Sequence, residues 1–269
     1  MRSAPLLRGS QVSAIVLALA VGAVPLDQSR ADAPETAEAQ PFIDEESYRP
    51  ELDPEALRAE RDELRRRLAT DPSDTEDKKR LAAVMYHLGE TESAMSILGQ
   101  LSSAQKDDAD TQYMMGALHE LTGNEKLAIT FYENAARLDP TNAVLLMDLG
   151  LAHRKRGNLD LAVDLYTKAI AQSPDFAVAY FNRGEAHEQL EREEDAISDY
   201  RKAIELDQDY ARPHVALGKI YANNGFTDRA ERSLARAIRI DPREPDAHYN
   251  LGVLYFRQRR YRDAVAEYK

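Results

Sequence analysis

Hydrophobic and polar positions along the chain repeat on two scales. On the short scale, "YFNRGEAHEQLEREEDAISDYRKAI", Tyr180 to Ile204, reads as two amphipathic helical pieces, with Gly184 in the middle of the first. On the long scale, Gly184 belongs to a series: Gly116, Gly150, Gly184, Gly218 and Gly252 fall 34 residues apart, with Ala82 one step earlier. Twelve residues beyond each stands an alanine (Ala94, Ala128, Ala162, Ala196, Ala230, Ala264). Four further on stands a large residue: Leu98, Tyr132, Tyr166, Tyr200, Leu234 or Tyr268. Units close on Pro140, Pro174 and Pro242, with Lys106 and Gln208 replacing proline in two. The pattern predicts helix pairs, glycine on helix A and alanine on helix B. Five mid-helix glycines cost roughly 5 kcal/mol in helix propensity, so close packing must offset them. The expected packing lets two backbones approach at the small residues, while the large residue fills the hole between neighbouring units. Gly89, Gly123, Gly157 and Gly225 sit at the A–B turns, as left-handed terminators. One such unit cannot bury its apolar face alone, so stability comes from stacking.

Ahead of the array the pattern changes twice. Asp53 is a good N-cap and Pro54 suits the first helical position. The helix predicted over 54–71 carries Leu57, Leu64 and Leu68 on one side, and Asp62/Arg66 and Glu63/Arg67 at ion-pair spacing. One apolar stripe fits a capping helix better than a long coiled coil. Residues 32–53, rich in proline, alanine and acid, read as a disordered linker in which only Phe42, Ile43 and Tyr48 could dock on anything. Residues 1–31 have a charged start, an apolar run from Val12 to Val24 and a small-residue exit at Ala31. That is a secretory signal peptide, its run too short for an easy bilayer span. The expectation is a periplasmic or secreted protein, with an uncleaved anchor as the alternative.

The net charge of −12 argues against nucleic acid as a partner, and the absence of cysteine excludes thiolate catalysis, disulfides and a lipidated junction. Phosphate-binding, dinucleotide, nucleophile-elbow and calcium-loop motifs are missing. "HELTG" at His119 and "HEQLE" at His187 begin like a zinc-protease helix but lack the second histidine. His119, His153 and His187 share one place in three consecutive units, and Tyr221 and Tyr255 continue the series, which suits ring packing. Equivalent places lie about a helix diameter apart, ~10 Å, too far to share a metal. His214 and His248 form a second 34-residue pair, again read as packing. "EREEDA", Glu191 to Ala196, is read as a turn with acids at a helix start, and "RQRRYR", Arg257 to Arg262, as a solvated turn, with contact to a phosphate or an acidic partner as the alternative. No catalytic residue, cofactor or metal ligand is expected.

These landmarks resemble the tetratricopeptide repeat family over Thr75 to Lys269. The resemblance implies an all-α, right-handed superhelical α-solenoid of about six helix-turn-helix repeats. Their bounds are 75–108 (divergent, with Ala82 and Met85), 109–142, 143–176, 177–210, 211–244 and 245–269 (incomplete). It further implies that helix A lines a concave groove for an extended peptide or partner helix. The lining comes from the second, fifth, sixth, ninth, twelfth and thirteenth places: Tyr113, Met114, Asp148, Leu151, Arg154, Phe181, Asn182, Glu185, Arg212, Lys219, Tyr249, Asn250 and Arg257. Aromatic bodies would supply area, and asparagines would bond a peptide backbone. The lysine-and-asparagine carboxylate grip of some eukaryotic members fails. Lys79 holds its first place, but Ala83 and Met114 follow, and Met147, Leu151 and Ala216 flank Asn182 and Arg212. The implied function is a non-enzymatic scaffold or adaptor in the bacterial cell envelope. The alternative is the substrate-recruiting region of a longer enzyme or assembly factor. The sixth repeat stops within helix B with an apolar face uncovered: either another chain covers it or residues are missing, and self-association through that face is a third option.

Overall fold

The computed structural model describes residues 53–104 and 107–268. The expected signal peptide and the linker up to residue 52 lie outside the described residues. Within them the structure is all α, with thirteen helices and no strand. A leading helix α1 (Pro54–Thr70) precedes α2 (Thr75–His87), α3 (Thr91–Ala104), α4 (Ala109–Leu121), α5 (Glu125–Leu138) and α6 (Ala143–Lys155). Then follow α7 (Leu159–Gln172), α8 (Ala177–Gln189), α9 (Glu193–Leu206), α10 (Ala211–Asn223), α11 (Thr227–Ile240), α12 (Pro245–Arg257) and α13 (Tyr261–Glu267). Even-numbered helices from α2 to α12 are the A helices of successive repeats, and odd-numbered ones from α3 to α13 are their B helices. The chain divides after Arg156 into two compact units, the first ending with α6 and the second beginning with α7.

Helix starts follow local chemistry. Asp53 accepts from the Glu55 amide (2.9 Å) ahead of Pro54, Asp74 from Asp77 (2.9 Å), Asp108 from Thr111 (3.0 Å) and Asn142 from Leu145 (3.1 Å). In the second unit α8 and α10 start instead at Phe176 and Tyr210, which cap nothing and are buried. The A–B turns are all left-handed: φ is 75–81° at Gly89, Gly123, Gly157 and Gly225, 60° at Glu191 and 63° at Arg259. The residue after the turn then donates back five positions, as from Asn124 to the His119 carbonyl and from Arg192 to that of His187, both 2.8 Å.

In the first unit, α1 buries Leu57 and Leu64 and packs on α2. Its charges differ from the expected pairs. Arg66 bonds Glu63 (2.7 Å), while Arg67 reaches Asp77 (2.6 Å), Glu60 receives Arg80 (2.5 Å) and Arg61 reaches Glu90. Spacing within one helix favours i,i+4 pairs, but packing brings partners on repeat 1 closer. In the second unit α7 to α13 stack in chain order, and helix α10 also touches α12, one A helix on the next.

The glycines have a sharper role than backbone approach. A Cβ on Gly116 would lie 2.5 Å from Tyr132 Cδ1, one on Gly184 2.7 Å from Tyr200 Cε1, and one on Gly218 2.6 Å from Leu234 Cγ. The large residue of helix B therefore lies on the glycine of helix A in its own repeat. It fills the hairpin, where the sequence placed it between units. Alanines 94, 128, 162, 196, 230 and 264 are buried beside it, as are Tyr132, Tyr166 and Tyr200.

Candidate functional site

Helix A carries the residues expected to meet a partner, and packing sorts them into three groups. Tyr113, Met114, Asp148, Leu151, Phe181 and Asn182 are buried. In the first unit the Tyr113 hydroxyl donates to Asp148 Oδ2 at 2.5 Å, joining α4 to α6, and its ring lies 5.6 Å from that of Tyr132. In the second unit Phe181 is held between Tyr200 (5.6 Å between ring centroids) and Tyr210 (5.2 Å). These aromatics supply area to the hairpin core rather than to a ligand, because the large side chains of helix B need a facing surface.

The second group is half-buried and interlocked. The Arg212 guanidinium lies 4.6 Å over the Phe181 ring and 3.8 Å from Glu185 Oε1, so α10 closes the Phe181 pocket with a cation–π contact. Arg154 is half-buried at the end of α6. Asn182 Nδ2 donates to the Val178 carbonyl (2.9 Å) and Asn250 Nδ2 to that of Asp246 (2.6 Å). Each asparagine thus spends a donor on its own helix. The third group is exposed: Lys219, 3.5 Å from Glu188, Arg257, and Tyr249, which is 62% exposed with its ring 6.2 Å from Tyr268.

The sequence reading passed over Glu120 and Glu188, both at twelfth places. Each accepts a hydroxyl from the tyrosine of its own helix B, Tyr132 or Tyr200, at 3.0 Å. Each also holds a lysine of the next helix A: Lys155 on Glu120 at 2.5 Å, Lys219 near Glu188. Burial, then the nearby Glu120 carboxylate, raises the Tyr132 phenol well above its usual range, so it stays a donor. The signal was present as a Glu-to-Tyr interval of twelve residues in two repeats.

The histidine series packs. His119 stacks on Phe131 (5.2 Å, 14°), His153 Nε2 lies 3.8 Å from Glu133, and His187 Nε2 lies 3.8 Å from Asp199. Asp199 is meanwhile held by Arg183 through two bonds of 2.7 and 2.8 Å. His248 bonds Glu267 at 2.8 Å, which raises its pKa, and His214 is pushed down to about 4, chiefly by burial, then by Arg236 and Arg239. Among the described residues no three His, Asp or Glu converge as metal ligands, and Glu191 stands exposed at its turn.

Family patterns described as tetratricopeptide repeat match residues 109–142, 147–211 and 215–269. Solved structures similar to the chain include MamA, 26% identical over 57% of this chain and 90% of MamA, with a TM-score of 0.51. YrrB, described as a TPR protein with an unusual peptide-binding site, is 24% identical over 63% of this chain and 88% of its own, with a TM-score of 0.51. PilF of Pseudomonas aeruginosa is 16% identical over 79% of this chain and 90% of its own, with a TM-score of 0.63. The last two likenesses concern the fold alone. No curated protein matches the chain.

Proposed function

The chain belongs to the tetratricopeptide repeat family, and from that premise we propose that it is a non-catalytic protein-interaction scaffold that holds a peptide or partner helix on its helix-A face. The observation that carries the reading is the character of α10 and α12 in the second unit. These touching A helices leave Arg212, Lys219, Tyr249 and Asn250 with accessible surface beside the small Ala216, while Phe181 on α8 is locked in the core. A mixed row of cation, aromatic and amide around a small residue suits an extended peptide, whose backbone and side chains need both kinds of contact. The peptide-binding description of YrrB, a protein of the same fold, supports this reading. The charged start and short apolar run of residues 1–31 support export to the cell envelope.

The test is affinity capture from envelope extracts with residues 32–269, partners being identified by mass spectrometry. Arg212→Glu, Lys219→Glu and Tyr249→Ala combined should lose the captured partner with unchanged circular dichroism. Retention of every partner by that variant would remove the helix-A face from consideration. Alanine at Tyr113 or Phe181 is unsuited to this purpose, because both are core residues.

A further inference from the structure

The A–B turns of repeats 5 and 6 form a second surface, which meets the helix-A face only at Arg257, the last residue of α12. Arg257, Arg259 and Arg262 are exposed, and none has an ion-pair partner among the described residues. Between them Phe256 (60% exposed) and Tyr261 (55%) pack edge to face at 5.4 Å. Arg260 is occupied differently: it lies 3.9 Å over Tyr255 and bonds Asp263 (2.7 Å) and Glu231 (3.1 Å). The Glu231 bonds hold this turn against the start of α11, where Phe226 is 52% exposed with Arg229 5.4 Å over its ring. Arg259 keeps φ at 63°, where four other repeats use glycine. A side chain retained at such an unfavourable backbone position calls for a reason.

The exposure of the three arginines is a property of their places. In repeat 5, which is followed by α12, the residues equivalent to Arg257, Arg259 and Arg262 are Asn223, Gly225 and Asp228, all exposed. In repeat 4 they are Gln189, Glu191 and Glu194, exposed again. There the same turn is acidic, with Glu191, Glu193, Glu194 and Asp195 all at the surface.

We infer that the A–B turn edge of repeats 5 and 6 docks an acidic, aromatic-bearing peptide segment of a partner protein. Three uncommitted guanidiniums supply attraction for carboxylates, and Phe226, Phe256 and Tyr261 supply flat apolar area for aromatic anchors. A planar anionic membrane fits less well, because it would meet the acidic turn one repeat away, which a narrow peptide can avoid. Nucleic acid meets the same repulsion along a longer footprint.

The probe is the labelled synthetic peptide Asp-Glu-Glu-Phe-Asp-Glu-Glu-Tyr, titrated against residues 32–269 by fluorescence anisotropy. Binding is expected, weakening steeply with salt. Arg257→Glu, Arg259→Glu and Arg262→Glu combined should abolish it. Phe256→Ser with Tyr261→Ser should weaken it about tenfold. All five side chains are exposed, and circular dichroism checks that the variants fold. The Arg212→Glu/Lys219→Glu/Tyr249→Ala variant should bind the peptide normally, which separates this edge from the helix-A face. The inference is overturned by peptide binding that survives the triple charge reversal, or by equal binding of a peptide with serine for its acids. Capture of phosphatidylglycerol vesicles with the same variant sensitivity overturns the choice of a peptide. A chain lacking residues 32–52 that binds the probe more tightly overturns the partner assignment in favour of the chain's own acidic segment.

Discussion

Gly184 and Gly99 are both helical glycines, yet they should respond oppositely to alanine. At Gly184 the new methyl would meet Tyr200 at 2.7 Å and Asp199 Cβ at 3.3 Å. Overpacking of this kind costs about 1–3 kcal/mol, more than the ~1 kcal/mol regained in helix propensity. At Gly99, within α3, nothing lies within 4 Å of the added methyl. Gly99→Ala should therefore raise stability by about 0.5–1 kcal/mol, and Gly184→Ala should lower it, both read from urea midpoints. Glu191 offers a third case. Its φ of 60° costs a non-glycine residue about 1 kcal/mol, and its side chain is exposed. Glu191→Gly should gain most of that, and a measured loss would mean that the carboxylate holds something.

At the scale of elements, caps and buried histidines set how firmly each helix is held. Asp108 both caps α4 and binds Lys79 at 2.9 Å, tying α2 to the start of repeat 2. Asp108→Ala should cost about 1–2 kcal/mol in the same unfolding assay. Burial holds His119, His153 and His187 below the ordinary imidazole value, and His214 at about 4. Such groups are neutral when folded and take a proton near pH ~6.5 when unfolded. Their contribution is thus complete above ~6.5 and is lost as pH falls through the folded values. His248, raised by Glu267, acts in the opposite sense: its contribution is complete below ~6.5 and fades as pH rises through its folded value. Burial lowers His87 in the same way, so with five groups against one the melting temperature should drop between pH ~6.5 and ~4, and His214→Gln should flatten the lower part of that drop.

Across the whole molecule, stability should be additive between neighbours, as in other stacked repeats. Helix α12 packs on both α10 and α11. A chain ending at residue 244 should therefore unfold at lower urea and with a smaller m-value, because less surface is exposed on unfolding. An unchanged midpoint would mean that repeat 6 contributes no neighbour energy. Partner capture belongs to this scale too. It needs a row of side chains on consecutive A helices, so single substitutions should weaken it less than the combined variant.

The repeat class and the helix-pair reading were legible from the chain because they depend on which residues are small, which are large and how far apart they lie. Gly116, Ala128 and Tyr132 announce their hairpin by spacing alone. The left-handed turns were legible at four glycines and hidden at Glu191 and Arg259, where only the backbone path shows the same conformation. The sequence also could not say which side chains of helix A remain available. Tyr113 and Tyr249 occupy the same place in their repeats, but Tyr113 is consumed by Tyr132 and Asp148 while Tyr249 stands in solvent. Spacing is a one-dimensional property and fixes the hairpin. Accessibility is set by every neighbour packed around a residue, and only the folded arrangement decides it.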